Sequence, residues 1–491
     1  MTLNRRVSDV EGSGGRRHCG WCQTARMEEI AAAVPGDERR AEGGEASAAT
    51  LGVGAEAGVG AQAGAGADTG AGVLELRVGA MAAGGGCVAH APDGRVVFVR
   101  HSLPGELVRA RVTSETARFL RADAVAVVER SPDRVDPPCP AAGPGGCGGC
   151  DWQHVALPAQ RRLKSELVSE QLRRLAGVDV PVAVEELPGT PDGLGWRTRV
   201  QFAVDGDGRV GMHRHRSHDV HPLKRCLIAH PAVEAVGVEQ RSWPGVERVE
   251  VEASATGGGA VVVVPGGRGG PRAGIRTSAR ALPDVEAGLV DGRRVVRPPG
   301  AIHHRVLGRE FRVSAGVFWQ VHPAAPAVLA GAVLDALEVT PGESVADLYA
   351  GAGLFAALAA ERVGTSGSVV AVERNGAACA DARANTADLP QVSVVREAVT
   401  PRVVSTGIGR PDVVVLDPAR EGAGRDVSAA LAALVPAPRR IAYVACDPAS
   451  LARDLRVFLD AGWRLASLRA FDLFPMTEHV EVLAVVEPPA A

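Results

Sequence analysis

From Val73 onward, apolar and polar residues alternate in short runs: Leu74–Val78, Val96–Val99, Leu107–Val112 and Ala122–Val127. Turn signals at Pro92-Asp-Gly94 and Pro104-Gly105 part them. A period of two in segments this short predicts half-buried strands, and several at this spacing predict a small barrel of the OB type. Beyond residue 311 the texture changes. Ser344–Leu348, Ser368–Val372, Asp412–Leu416 and Arg440–Val444 are short apolar runs separated by helical spans such as Ala377–Ala387. Strands apolar on both faces belong in a parallel sheet covered by helices, so this part is predicted to be a doubly wound α/β domain.

Residues 133 to about 310 are rich in Pro, Gly, Cys, His and Arg. A helix is predicted from Pro158 to Leu175, with Leu163, Leu167, Leu172 and Leu175 on one side. Arg161, Arg162, Lys164, Arg173 and Arg174 line the remainder and read as a solvated face. Strands such as Arg199–Val204 make the rest β-rich with long loops. Before Val73 there is no periodicity: 20 of the 30 positions from Gly43 to Gly72 are Gly or Ala. Such a segment buries too little surface to offset its ordering entropy. The expected division is therefore a tail (1–72), a barrel (73–132), a central domain (133–310) and an α/β domain (311–491).

Hydrophobic residues are 46% of the 491-residue chain, enough for sizeable cores; aromatics are 3%, so those cores rest on Val, Leu and Ala. Basic residues (54) nearly cancel acidic ones (57). That balance excludes a wholly basic nucleic-acid coat but not a local basic patch. Lys occurs only at Lys164 and Lys224. No apolar run approaches the roughly 18 residues a membrane span needs, and no apolar h-region follows Arg5 and Arg6. A cytoplasmic protein is expected. Nine cysteines then point to metal or catalysis ahead of disulfides. Cys19-Gly-Trp-Cys22 has no second pair and reads as incidental; Met27 offers an alternative start.

The chemistry concentrates at the ends of the apolar runs. After the first comes Ala346-Asp-Leu-Tyr-Ala-Gly351-Ala-Gly353, where glycines let the backbone approach a ligand. The next run ends at Glu373, placed to hold a ribose diol. A dinucleotide fingerprint needs a third glycine where Ala356 stands; with Asp347 just ahead of the loop, S-adenosylmethionine fits better than NAD. The third run ends in Asp417-Pro-Ala-Arg420, without the aromatic residue that stacks on a base in exocyclic-amine methylation. The fourth ends at Cys446, where a thiol could act as nucleophile or simply be a buried structural Cys. His479 and Glu481 flank Val480, and either could be a general base. Cys139, Cys147 and Cys150, with the distant Cys226, could complete a four-iron cage or a tetrahedral zinc site. Cys87 and Cys379 have no partner pattern and read as core.

Together these residues resemble the RNA uracil-5-methyltransferases, in particular the iron–sulfur branch acting on ribosomal RNA. Cys446-Asp-Pro-x-x-Leu-x-Arg-Asp454 is similar to the family's nucleophile signature, Thr477-x-His-x-Glu481 to its base signature, and Phe318-Trp-Gln-Val-His-Pro323 to its aromatic-glutamine segment. The resemblance spans roughly Val73 to Glu487. It implies a class I (Rossmann-like) methyltransferase domain, a TRAM-type RNA-binding barrel and a central iron–sulfur domain. It implies Cys446 as nucleophile and Glu481 as base. Gln320, Asp347, Tyr349, Gly351, Gly353, Glu373 and Asp417 are implied at the S-adenosylmethionine site, with Asp417 between cofactor and base. A four-iron four-sulfur cluster on Cys139, Cys147, Cys150 and Cys226 follows likewise. The resemblance implies 23S ribosomal RNA as the partner; a monomer with no membrane partner is expected. Two departures stand out: Leu354 replaces the usual Asn, and the seven residues between Cys139 and Cys147 exceed the commonest spacing. The alternatives are a transfer-RNA uridine or an RNA cytidine C5-methyltransferase, or an RNA-binding protein whose methyltransferase domain is degenerate.

Overall fold

The computed structural model describes residues 67–68, 72–256, 259–264, 287–291, 294–297 and 300–490. The Gly/Ala-rich tail up to residue 66 and the Cys19/Cys22 pair lie outside the described residues. Where the sequence alternates with period two, strands form at Val73–Arg77, Val96–Arg100, Leu107–Glu115 and Phe119–Glu129. Cys87–His90 is a further strand, and Ala67–Asp68 pairs along the first. Val97 and Val99 point inward and are fully buried. Cys87 sits in the same core, where burial pushes its thiol up to about 12. Register shifts between Leu107–Glu115 and Phe119–Glu129 let these long strands bend.

The helix α1 (Leu157–Gln171) follows, with Pro158 in its first turn, where a missing N–H costs nothing. Two apolar faces flank it. Ala159, Leu163 and Leu167 join the barrel core, while Val168 and Leu172 join the core of the α/β domain. The helix ends in a π turn, Leu172–Ala176. This wider turn carries Leu172 and Ala176 inward and leaves Leu175 40% exposed, unlike the regular spacing expected from the sequence. Lys164 also departs from the solvated-face reading: it is 0% exposed.

A seven-stranded sheet occupies the middle of the chain, its strands in the order 220–222, 210–213, 199–204, 248–253, 260–264, 287–291, 294–297. The hairpin Ala301–Val306/Arg309–Ser314 and the helix α2 (Ala325–Leu337) lead out of it.

The sheet of the α/β domain then forms from the continuous apolar runs. Strands β1 (Ser344–Leu348), β2 (Ser368–Val372), β3 (Val392–Val395), β4 (Val413–Leu416) and β5 (Arg440–Ala445) are parallel. Strand β7 (Glu481–Glu487) runs antiparallel between β5 and β6 (Arg464–Asp472), giving the order β3-β2-β1-β4-β5-β7-β6. Val184–Glu186, from the stretch read as a central domain, pairs parallel beside β6. Helices α3 (Leu354–Val363), α4 (Gly376–Asn385) and α5 (Pro448–Asp460) cover the sheet. On α5, Leu451, Leu455 and Phe458 are at most 1% exposed; each buried side chain of this size is worth roughly 1.5–3 kcal/mol. The strand order reverses at β1, between β2 and β4, which is where such sheets open a crevice beyond their carboxyl ends. No helix among the described residues is long and apolar enough to cross a membrane.

Candidate active site

The loop after β1 opens that crevice. Gly353 has φ +87°, and a Cβ there would press to 3.2 Å from Ala382 of α4. Only glycine turns the chain this tightly and starts α3 against α4. Asp347, on β1, is fully buried; its Oδ2 accepts from the Ala356 N–H at 2.8 Å, while its buried Oδ1 has no partner. Beyond β2, Glu373 accepts from Gly351 N–H at 3.1 Å and from Asn375 N–H at 2.5 Å, leaving lone pairs for a diol. Tyr349 takes φ +65°, a strained value for a side chain this large.

Gln320 arrives from the middle of the chain. Thr198 holds its segment, its N–H and hydroxyl both donating to Val321 O at 2.8 and 2.9 Å. Gln320 Nε2 lies 3.5 Å from Asp417 Oδ2 at the end of β4. Asp347 and Asp417 are close enough to disfavour each other's charge. Burial, Asp417 and Glu373 hold Asp347 well above the usual carboxylate range, and burial pushes Asp417 up to about 7. An unpartnered carboxylate oxygen among mutually repelling acids suits a cationic ligand.

Cys446 and Glu481 come from adjacent strands. Ala445 of β5 pairs with Val482 of β7, and the next residue on each strand sets Cys446 across from Glu481. Asp447 caps α5, its Oδ1 accepting from Ser450 N–H at 2.7 Å, and Pro448 opens the helix. The Cys-Asp-Pro run thus pins the thiol between a strand end and a helix start. Burial pushes the Cys446 thiol up; Glu481 adds to the rise and Arg420 opposes it. Glu481, 3% exposed, lies well above the carboxylate range through burial and Asp417, again opposed by Arg420.

Arg420 is therefore the cation that both Cys446 and Glu481 feel, a place its sequence position does not announce. Its Nη2 donates to His479 Nδ1 at 2.7 Å, and burial beside this guanidinium keeps His479 neutral. His479 precedes β7, so it holds Arg420 while Glu481 faces Cys446. The Arg453-Asp454 part of the nucleophile signature also finds a reason. Fully buried Asp454 accepts from the Tyr443 hydroxyl at 2.7 Å and from Gly424 N–H at 3.0 Å, and Arg453 donates to Glu421 O at 2.6 Å. Together they fix the loop carrying Arg420. Leu354, in place of the family's Asn, is buried in the core and offers no polar contact.

The cysteine loop precedes α1. Its backbone is tied by Cys147 N–H to Ala141 O (2.8 Å) and Gly148 N–H to His213 O (3.0 Å). A Cβ on Gly148 would lie 2.8 Å from His215 N, so the loop lies flat on strand Val210–His213. Cys139, Cys147, Cys150 and Cys226 are all free thiols. Burial raises Cys150, with Cys226 and Cys147 adding to it, and Cys139 likewise opposes the charge on Cys147. The four thiols thus lie within electrostatic reach of one another, and thiols are the donor type that iron–sulfur clusters and structural zinc take. Among the described residues, no group of three or more His, Cys, Asp or Glu side chains is arranged to hold a metal ion. Cys379 is buried on α4, its thiol donating to Glu373 O.

Fold and site define an S-adenosylmethionine-dependent methyltransferase preceded by an RNA-binding type of barrel. Residues 73–125 match the TRAM domain, 315–398 the protein-L-isoaspartate(D-aspartate) O-methyltransferase family, and 410–487 the tRNA (uracil-5-)-methyltransferase family. An uncharacterized RNA methyltransferase of Streptomyces avermitilis is 47% identical over 85% of this chain and 98% of its own length. Another, of Streptomyces coelicolor, is 49% identical over 85% and 93%. The crystal structure of the Pyrococcus abyssi tRNA (uracil-54, C5)-methyltransferase with S-adenosyl-L-homocysteine shares the fold, at a TM-score of 0.61 and 21% identity over 84% of this chain and 99% of that one. The chain belongs to the RNA uracil-5-methyltransferase family, and its substrate is RNA.

Proposed function

We propose that the protein methylates C5 of a uridine in 23S ribosomal RNA, acting as a cytoplasmic monomer, by addition and elimination. The observation that carries the reading is Cys446 set across from Glu481, with Arg420 acting on both. Uracil C5 is too weak a nucleophile to take a methyl unaided. The Cys446 thiolate forms a bond to C6, and the displaced electron pair gives C5 enolate character. Bound S-adenosylmethionine supplies an electrophilic methyl group. Asp347, Tyr349, Gly351, Gly353, Glu373, Gln320 and Asp417 bind and orient that cofactor. After transfer, Glu481 takes the C5 proton, the C6–S bond breaks and its electron pair returns to Cys446. A cysteine suits both steps because a thiolate attacks well and leaves tolerably.

Ribosomal RNA is favoured over transfer RNA because the barrel and the four cysteines occur together, as in the ribosomal branch that the sequence resembles. The deciding experiment is tritium release from RNA labelled at C5 of uridine, beside a sample labelled at C5 of cytidine. Release from uridine alone is expected. Release from cytidine would overturn the base, and release from neither, with cofactor bound, would overturn the activity.

Cys139, Cys147, Cys150 and Cys226 would hold a four-iron four-sulfur cluster that fixes their loop; methyl transfer consumes no electrons. Anaerobically purified protein is expected to contain iron and acid-labile sulfide in equal amounts. Zinc without sulfide would assign the four thiols to a tetrahedral site instead. Cys226→Ser is expected to lose the bound metal.

A further inference from the structure

Only two lysines occur in the chain, and one of them, Lys164, is buried completely. Its Nζ lies 2.5 Å from Asp472 Oδ1 and donates to Phe474 O at 3.0 Å. One turn earlier on the same face of α1, Gln160 is equally buried. Its Oε1 accepts from Met476 N–H at 2.8 Å, and its Nε2 donates to Trp152 O and Val155 O at 3.1 and 2.9 Å. Trp152 N–H donates to Met476 O at 3.0 Å, completing the hold on that residue. Met476 itself has φ +68°, a conformation that side-chain-bearing residues seldom adopt unless their surroundings impose it.

These bonds converge on the connection from β6 to β7, Asp472 to Glu481, at whose far end the proposed base stands. Burying an ammonium and a carboxylate is a poor way to gain stability, since apolar residues of the same volume often serve as well. What the polar set supplies is direction: it seizes the backbone of Phe474 and Met476 at named atoms. Trp152, two residues after Cys150, carries the same hold back to the cysteine loop.

We propose that Lys164 and Gln160 are positioning residues for Glu481, clamping the β6–β7 connection so that the carboxylate meets the C5 proton. The proposal rests on the addition–elimination reading. It separates the reaction's two halves, because adduct formation and methyl transfer need Cys446, whereas breaking C5–H and then C6–S needs a placed base.

The test uses the full chain, S-adenosylmethionine and substrate RNA. It measures methyl groups entering RNA that stays covalently bound to denatured enzyme against methyl groups in released RNA. Glu481→Gln is the benchmark and is expected to trap methylated adduct. Lys164→Met and Gln160→Leu are expected to cut release at least ten-fold while methyl transfer into the adduct changes less than three-fold, and Lys164→Arg to restore part of the release. The double variant Lys164→Leu with Asp472→Leu, which leaves no unpaired buried charge, keeps the test sound if the single variant folds poorly. It too is expected to trap adduct, because the bond to Phe474 O is gone. A benchmark that traps beside Lys164 and Gln160 variants that release normally, or that lose both halves equally, would overturn the clamp alone. A benchmark that traps nothing would overturn the base assignment and the clamp with it.

Discussion

Cys446→Ala is expected to abolish methyl transfer to RNA while leaving S-adenosylmethionine binding intact. The thiol stands at the carboxyl end of β5, one residue beyond the pair Ala445–Val482 and just ahead of the Asp447 cap of α5. The groups assigned to the cofactor lie on β1, β2, β4 and the Gln320 segment, so truncating one sulfur leaves them in place. The chemistry suffers far more. Without addition at C6, C5 keeps its weak nucleophilicity, and losing a covalent nucleophile costs on the order of 10⁴-fold or more. Single-turnover methyl transfer and calorimetric cofactor binding, run on the same preparation, check both halves. Turnover retained by the Ala variant would show that the thiol is only structural.

Much of this was legible in the chain because its physics is local. Period-two alternation placed four barrel strands, and continuous apolar runs placed β1, β2, β4 and β5 to within a residue at either end. Strand ends carry side chains into the crevice, so Asp347, Glu373, Asp417 and Cys446 could be chosen before any fold was drawn. What stayed hidden was non-local. Lys164 sits among Arg161, Arg162, Arg173 and Arg174 and reads as one more surface charge; only Asp472, 308 positions away, explains its burial. Val184–Glu186 falls in the stretch read as a separate β-rich domain, yet it joins the α/β sheet because β6 leaves an edge beside it. In sequence Arg420 marks only the absence of an aromatic ring, whereas its place beside Cys446 and Glu481 depends on Asp454 folding the loop behind it. The π turn at Leu172 has no local signature for the same reason, since packing on two cores decides it.

The charge on Arg420 leads to the second large effect, Arg420→Met. The reactive form of Cys446 is the thiolate, and burial with Glu481 nearby holds the thiol above its ordinary value of 9.0. Below that pKa the thiolate fraction climbs about ten-fold per pH unit, so the single-turnover rate is expected to rise across the range from about pH 6 to 9. Arg420 lowers the pKa of both Cys446 and Glu481, and its removal raises both. Less thiolate forms at any given pH, and more Glu481 is protonated and unable to take the C5 proton. Both changes act in one direction. The deficit should be on the order of 10²- to 10³-fold and nearly the same at every pH below the thiol pKa of both proteins. Arg420→Lys keeps a charge but not the planar donor facing His479, so its pH limb should stay near that of the parent chain with a smaller uniform loss. A pH–rate profile of the three proteins separates the possibilities. If Arg420→Lys loses as much as Arg420→Met across that range, the charge is not what matters, the guanidinium acts by holding RNA or loop geometry, and tuning of Cys446 and Glu481 would have to come from the bound cofactor and substrate.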